Sequence, residues 1–318
     1  MRIVLTRQKI HGHSVDEYAA ALRDRLPDHD IVVARTPDEE REAVTGADVV
    51  TGEGHSMGRL LGEVEAPDLK LFAGVYAGTG HLDLDAFREA GVAVTNASGV
   101  HAPNIAEYVV GALVSLARDF RRATRQQDRR EWRAYQTREL KGSTVTVVGV
   151  GSIGEAILQR LEPFGVERLA VRHSPEKGGP AEEVVGFDGL HDALARTDHL
   201  VLACPLTDET EGLIDADALR TLPPEATLVN IARGAVVDTD ALVSAFNVND
   251  LGAAFLDVTD PEPLPEEHPL WGFEDVRITP HNAGHTPAYF GRLVDIVAEN
   301  VERIAGTGET GELRNRVV

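Results

Sequence analysis

The chain has 318 residues, of which 52 are acidic and 31 basic, giving a net charge of -21. That length allows two domains, and the charge argues against nucleic acid or an anionic membrane as partner, because like charges repel. Only four of the basic residues are lysine (Lys9, Lys70, Lys141, Lys177). Self-repulsion of this size is tolerable where molar salt cuts the Debye length to about 3 Å, so a halophilic setting is expected. The single cysteine, Cys204, follows the apolar run 199–203 and reads as buried; a disulfide within the chain is excluded. No apolar stretch reaches the roughly 18 residues of a membrane span, and the first residues lack a signal-peptide core. A cytoplasmic protein is the expectation.

In chain order, strand-like runs at 2–5, 30–34, 47–51, 69–73 and 92–95 alternate with helical spacing, as over 14–26 (Tyr18, Ala19, Leu22, Leu26). Such alternation predicts a small doubly wound parallel sheet. Pro103 opens a helix with apolar residues at Ile105, Val109, Val110, Leu113 and Leu116. Seven arginines then crowd 118–133 (118, 121, 122, 125, 129, 130, 133), interleaved with acids. A solvated helix or a subunit contact fits that pattern better than a nucleic-acid patch. A second strand series follows at 144–148, 168–171, 200–203, 227–232, 252–258 and 276–279. The tail from 285 to about 306 reads as a helix returning to the first domain.

The segment Val145–Gly154 reads VTVVGVGSIG: a buried strand, a glycine-rich turn, then helix-forming residues. N–H groups and the positive end of the helix dipole at such a turn receive a pyrophosphate. A lone GxGxxG is weak, but the strand–turn–helix context makes this one specific. An NAD reader carries an acid about 20 residues on, for the ribose 2′-hydroxyl. Here the next strand ends in Arg172-His173-Ser174, which suits a 2′-phosphate. NADP(H) is therefore expected, with NAD(H) usable; the alternative is that Arg172 is merely exposed.

Three further segments follow predicted strand ends: NIARG with Arg233, DVTDPEPLP with Glu262, and TPHNAG with His281. Singly, these could be a surface ion pair, a loop carboxylate and a capped histidine. Together, at successive carboxyl ends of a sheet that also carries a nucleotide loop, they point to a catalytic constellation.

With VGVGSIG, PLTDETEGLI (205–214), NIARG, DVTDPEPLP and TPHNAG in this order, the chain resembles the D-isomer-specific 2-hydroxyacid dehydrogenases, over about 69–284. The resemblance implies two doubly wound α/β domains. One is a Rossmann coenzyme domain over 101–284; the other is a smaller flavodoxin-like substrate domain from 1–100 and 285–318. It implies that Arg233 clamps the substrate carboxylate and that His281 exchanges the alkoxide proton. Glu262 would orient the imidazole and favour its charged form. Implied coenzyme contacts are Gly149, Gly151, Ser152, Ile153, Gly154, Arg172, His173, Ser174, Pro205, Thr210, Ala232 and Asp257, the last on the nicotinamide carboxamide. Tyr76, Ala77 and Gly78 match the loop whose N–H groups hold the substrate carboxylate, beside Arg233 and His281. No metal site is expected, and a homodimer through the coenzyme domains is.

The reading is an NADPH-preferring reductase of small 2-oxo acids to D-2-hydroxy acids, with glyoxylate/hydroxypyruvate reduction as the runner-up. Too little chain follows Gly306 to expect the regulatory domain of a phosphoglycerate dehydrogenase, and the His281–Glu262 set argues against formate chemistry. A nucleotide-sensing corepressor is the alternative from another class. His55 and His81 read as surface or loop histidines.

Overall fold

In the computed structural model the chain divides into two compact units: Met1–His101 with His285–Val318, and Ala102–Gly284. The structure describes every residue except 7, 8, 11, 12 and 65–67, with the backbone alone at 9, 10 and 13.

The first unit begins with β1 (Arg2–Leu5), the antiparallel pair β2 (Lys9–Ile10) and β3 (His13–Ser14), α1 (Val15–Arg25) and β4 (Asp30–Val33). It continues through α2 (Pro37–Val44), β5 (Val49–Gly52), α3 (Met57–Glu63), β6 (Leu71–Gly74), α4 (Leu84–Glu89) and β7 (Ala93–Thr95). The parallel sheet has the order β4-β1-β5-β6-β7. Successive residues of β1 point to opposite faces. Ile3 and Leu5 pack with Tyr18 and Leu22 of α1, whereas Val4 packs with Val44, Val50 and Phe72. Helices cover both faces, so the strands read as unbroken apolar runs. Ser14 and Glu17 form a capping box that starts α1.

The second unit begins with α5 (Ala102–Ala117), α6 (Phe120–Asp128), β8 (Thr144–Val148), α7 (Ser152–Leu161), β9 (Glu167–Val171) and β10 (Glu183–Val185). Then come α8 (Leu190–Leu194), β11 (His199–Leu202), α9 (Ala216–Thr221), β12 (Thr227–Asn230), α10 (Thr239–Val248), β13 (Ala253–Leu256) and β14 (Val276–Ile278). Its strands are parallel in the order β10-β9-β8-β11-β12-β13-β14. Chain order reverses between the neighbours β8 and β11, the switch point beyond whose carboxyl ends such sheets bind ligands. Val145 and Val147 pack towards α5 and α7, and Val148 joins the core on the other face.

The last helix, α11 (Tyr289–Thr307), belongs to the first unit, where Tyr289, Leu293 and Val297 pack with Tyr18 and Leu22. It starts at Tyr289 rather than at 285. Pro287 disfavours helical geometry in the residue before it. Strand β10 is a further correction: three half-buried residues carry too little pattern to be read in advance. Helix α6 has no fully buried side chain, but its Arg121 donates to the Phe273 carbonyl (2.8 Å) and its Arg125 pairs with Glu274 (3.0 Å). No described helix is long and apolar enough to cross a membrane.

Candidate active site

The glycine-rich turn is built by close contact. Gly149 has a φ of +97°, and a Cβ there would lie 2.4 Å from the Cys204 backbone nitrogen. A Cβ on Gly154 would lie 2.0 Å from the Gly149 carbonyl oxygen. Gly151 faces open space, with nothing within 4 Å of its would-be Cβ. Ser152 and Ile153 open the first turn of α7, so their N–H groups belong to the unsatisfied helix start. A cavity of about 780 Å³ lies here, lined by Gly149, Gly151, Arg172, His173, Ser174 and Lys177, among others. The glycines and the cavity fit a dinucleotide: crowding is relieved where backbone meets backbone, and the open glycine faces the ligand space.

On the cavity wall, an Arg172 Nη1 donates to the Gly178 carbonyl (2.5 Å), which fixes the guanidinium and leaves its other donors available. His173 Nδ1 lies 2.8 Å from Glu209 Oε2. Pro205 lines the same cavity. Thr210, expected on the coenzyme, is buried, and its hydroxyl donates to the Pro205 carbonyl (2.6 Å) and accepts from Thr207 N (2.8 Å). It shapes the wall rather than offering it a donor. Cys204 is buried there, and desolvation pushes its thiol up to about 11, so it is no nucleophile.

Strand β12 ends at Asn230, two residues earlier than its apolar run predicts. Asn230 Oδ1 accepts from Ala232 N (3.0 Å) and its Nδ2 donates to the Arg233 carbonyl (3.1 Å). This side-chain turn competes with the ladder and swings Arg233 out of the sheet. Ala232 is buried, and its carbonyl accepts from an Arg233 Nη1 (2.6 Å). Arg233 is exposed, and among the described residues no carboxylate lies within 4 Å of it. A guanidinium in that state is ready for an anion.

His281 sits in the left-handed region at φ 52°, uncommon for a residue with a Cβ. Asp257 sustains it. The Asp257 carbonyl accepts from His281 N (2.8 Å). Its carboxylate accepts from Asn282 N (2.9 Å), Ala283 N (2.8 Å), Thr279 Oγ1 (2.7 Å) and Tyr108 Oη (2.9 Å). Asn104, one helical turn before Tyr108 on α5, donates to the Ala283 carbonyl (2.8 Å). Asp257 is 2% exposed. The sequence reading puts it on the nicotinamide; the structure engages both carboxylate oxygens in carrying the His281 loop, with a single protein donor on Oδ2. Tyr108 and Asn104 are not legible in advance, because α5 lies far away in the chain.

Glu262 Oε2 lies 3.0 Å from His281 Nδ1, while its Oε1 accepts from Thr259 N (3.1 Å). Since a carboxylate only accepts, Nδ1 carries the hydrogen and Nε2 is left to exchange a proton. An apolar wall of Pro263, Leu264, Trp271 and Ile278 adjoins this pair in a cavity of about 620 Å³.

In the first unit, Tyr76 Oη donates to Glu53 Oε1 (3.2 Å), Asn96 Nδ2 donates to the Ala77 carbonyl (2.6 Å), and Gly78 faces open space. His81 Nε2 is hydrogen-bonded to the Glu53 carbonyl (2.8 Å), and the His55 and His81 rings lie 4.8 Å apart. Both histidines are exposed, as expected, but they gather with Tyr76 around Glu53 rather than scattering.

A glycine turn at the switch point, with guanidinium, carboxylate and imidazole on neighbouring loops, defines a dinucleotide-dependent oxidoreductase acting on the CH–OH group. A family model described as "D-isomer specific 2-hydroxyacid dehydrogenase, NAD binding domain" matches residues 110–283. Glyoxylate reductase of Thermofilum pendens is 36% identical over 74% of this chain and 72% of its own length. A solved D-isomer specific 2-hydroxyacid dehydrogenase family protein from Aeromonas salmonicida is 30% identical, with a TM-score of 0.79 over 100% of this chain and 99% of that one. A second, from Xanthobacter autotrophicus in complex with NADPH and MES, is 27% identical, with a TM-score of 0.78 over 99% of this chain and 98% of that one. The chain belongs to the D-isomer specific 2-hydroxyacid dehydrogenase family.

Proposed function

We propose that the protein reduces small 2-oxo carboxylic acids to D-2-hydroxy acids, reversibly, with NADPH preferred and NADH usable. The observation that carries this reading is the 3.0 Å His281–Glu262 pair on the loops after β14 and β13, while β12, the neighbour of β13, carries on its own loop an Arg233 free of carboxylate partners among the described residues. Bound at the glycine turn, the nicotinamide coenzyme supplies or accepts the hydride. Arg233 holds the substrate carboxylate and polarises the 2-oxo group. His281, with Nδ1 held by Glu262, gives its Nε2 proton to the oxygen as the ketone is reduced and takes it back in oxidation. Asp257 Oδ2 has a lone pair left for the nicotinamide carboxamide. Tyr76, Ala77 and Gly78 provide the substrate loop of the first unit.

Arg172 and Lys177 on the cavity wall support NADPH preference, as does a 27%-identical relative solved with NADPH. The half-exposed Phe120 and fully exposed Trp132 beside the arginines of 118–133 support a homodimer through this unit. The test is oxidation of NADPH and NADH with a panel of 2-oxo acids, glyoxylate first, in about 2–3 M KCl, where the Debye length is below about 3 Å. Turnover persisting at that salt supports the halophilic reading. His281→Gln should lose about 10²–10⁴-fold in kcat while still binding coenzyme. Binding of both coenzymes with no turnover on any 2-oxo acid would favour a nucleotide-sensing protein instead.

A further inference from the structure

Strand β9 lacks the acidic tip that reads an unphosphorylated ribose, yet a carboxylate reaches the same cavity from another strand. The register sets Val171, Val148 and Leu202 abreast at the ends of β9, β8 and β11. The three loops that follow therefore leave the sheet side by side, with the glycine turn in the middle. Arg172, His173 and Lys177 line the cavity from the β9 side, and Asp208 and Glu209 line it from the β11 side. His173 and Glu209 meet across it at 2.8 Å. Neither is buried: their side chains are 76% and 52% exposed. An exposed pair of this kind stabilises a fold very little, so its effect is to be sought in the ligand space.

We propose that Glu209 is a specificity-determining residue that reads the ribose diol of NADH, and that the His173–Glu209 pair balances the site between the two coenzymes. This rests on the nicotinamide-dependent reading above. A carboxylate accepts hydrogen bonds from both hydroxyls of a 2′,3′-diol. With a 2′-phosphate the signs reverse: Glu209 repels the phosphate, whereas Arg172 and Lys177 attract it. His173, paired with Glu209, masks the carboxylate when the phosphate is present. The site thereby accepts both coenzymes, with a preference set by which partner His173 serves.

Fluorescence titration of NADPH and NADH against wild type, Glu209→Gln and His173→Gln tests this, with thermal melts to show that each variant is folded. Glu209→Gln should weaken NADH by about tenfold or more, the worth of a charged hydrogen bond, and leave NADPH unchanged or tighter. His173→Gln should do the opposite, weakening NADPH several-fold with NADH held. A pair that merely braces the two loops would move both coenzymes together in each variant, and that result overturns the proposal. An unchanged NADPH:NADH ratio in both variants also overturns it and leaves selection to Arg172. Wild type binding neither coenzyme would instead sink the nicotinamide reading itself, and this inference with it.

Discussion

Gly234 lies so close to Thr259 that a Cβ on it would sit 2.0 Å from the Thr259 carbonyl carbon and oxygen. Gly234 follows Arg233, and Thr259 N donates to Glu262, so this contact joins the loop of the guanidinium to the loop of the carboxylate. Gly234→Ala must push the two apart, because the obstructing atoms, Thr259 C and O and Asp260 N, are all backbone. The expected result is a raised KM for the 2-oxo acid and a loss of about 1–3 kcal/mol in stability, with coenzyme affinity unchanged. Steady-state kinetics beside a denaturant melt would check it; an unaltered KM would show that the loops are not coupled.

Two glycines of the coenzyme turn should respond in opposite ways. Gly154→Ala places a methyl 2.0 Å from the Gly149 carbonyl oxygen, so it should lower the melting temperature by an amount reflecting about 1–3 kcal/mol. Gly151→Ala meets no atom within 4 Å, and the φ of -96° at Gly151 suits alanine. Its stability should hold, while NADPH binding weakens roughly ten- to hundredfold through the loss of about one charged hydrogen bond. Melts and titrations on the same two preparations separate these outcomes. A Gly151→Ala protein that binds NADPH normally would mean that the pyrophosphate does not lie there.

The buried Asp257 carboxylate anchors the loop of the proton-transfer group. Asp257→Asn keeps one acceptor but sets an NH2 against N–H or O–H donors that now pair with oxygen. Stability should fall by about 1–3 kcal/mol, the cost of leaving a buried donor unpaired. Turnover should fall with it, because nothing else among the described residues holds both Asn282 N and Ala283 N. Tyr108→Phe removes one of the four donors and should follow the same direction at smaller size. Thermal unfolding and kcat on both variants would reveal the gradation, and equal turnover in all three proteins would defeat it.

What the sequence discloses is local, and what it hides is brought together by packing. The strand–turn–helix at 144–161 is legible because its glycines, apolar run and helix formers are contiguous. Arg233, Glu262 and His281 are legible as three short segments after strand ends, since a parallel sheet brings all such ends to one edge. Asn104 and Tyr108 are hidden, because on α5 they look like ordinary polar positions until the helix packs beside β12 and β13. Glu209 is hidden for a similar reason: a search along β9 for an acid cannot find one that arrives on the loop after β11. The short edge strand β10 offers only Val184 and Val185 as pattern, and the residue before it, Glu182, forms an ion pair with Arg168 of β9.

That ion pair gives the protein an acid-sensitive edge. Arg168 donates to Glu182 through Nε and Nη2 (2.6 Å at the shortest) and through its backbone N–H (2.7 Å). The Arg168 hydrogen bonds hold the Glu182 carboxyl at about 2, against an ordinary 4.5. A folded value below the unfolded one means that the stabilisation is fully present above about pH 4.5 and is lost as the pH falls towards about 2. Because the Glu182 side chain is 49% exposed, solvent screening limits the effect to roughly 1 kcal/mol. Glu182→Gln should therefore melt roughly 2–4 °C below wild type near pH 7. As the pH falls through that window the two melting curves should converge. A gap independent of pH would assign the loss to packing at the sheet edge instead of to the charge of Glu182.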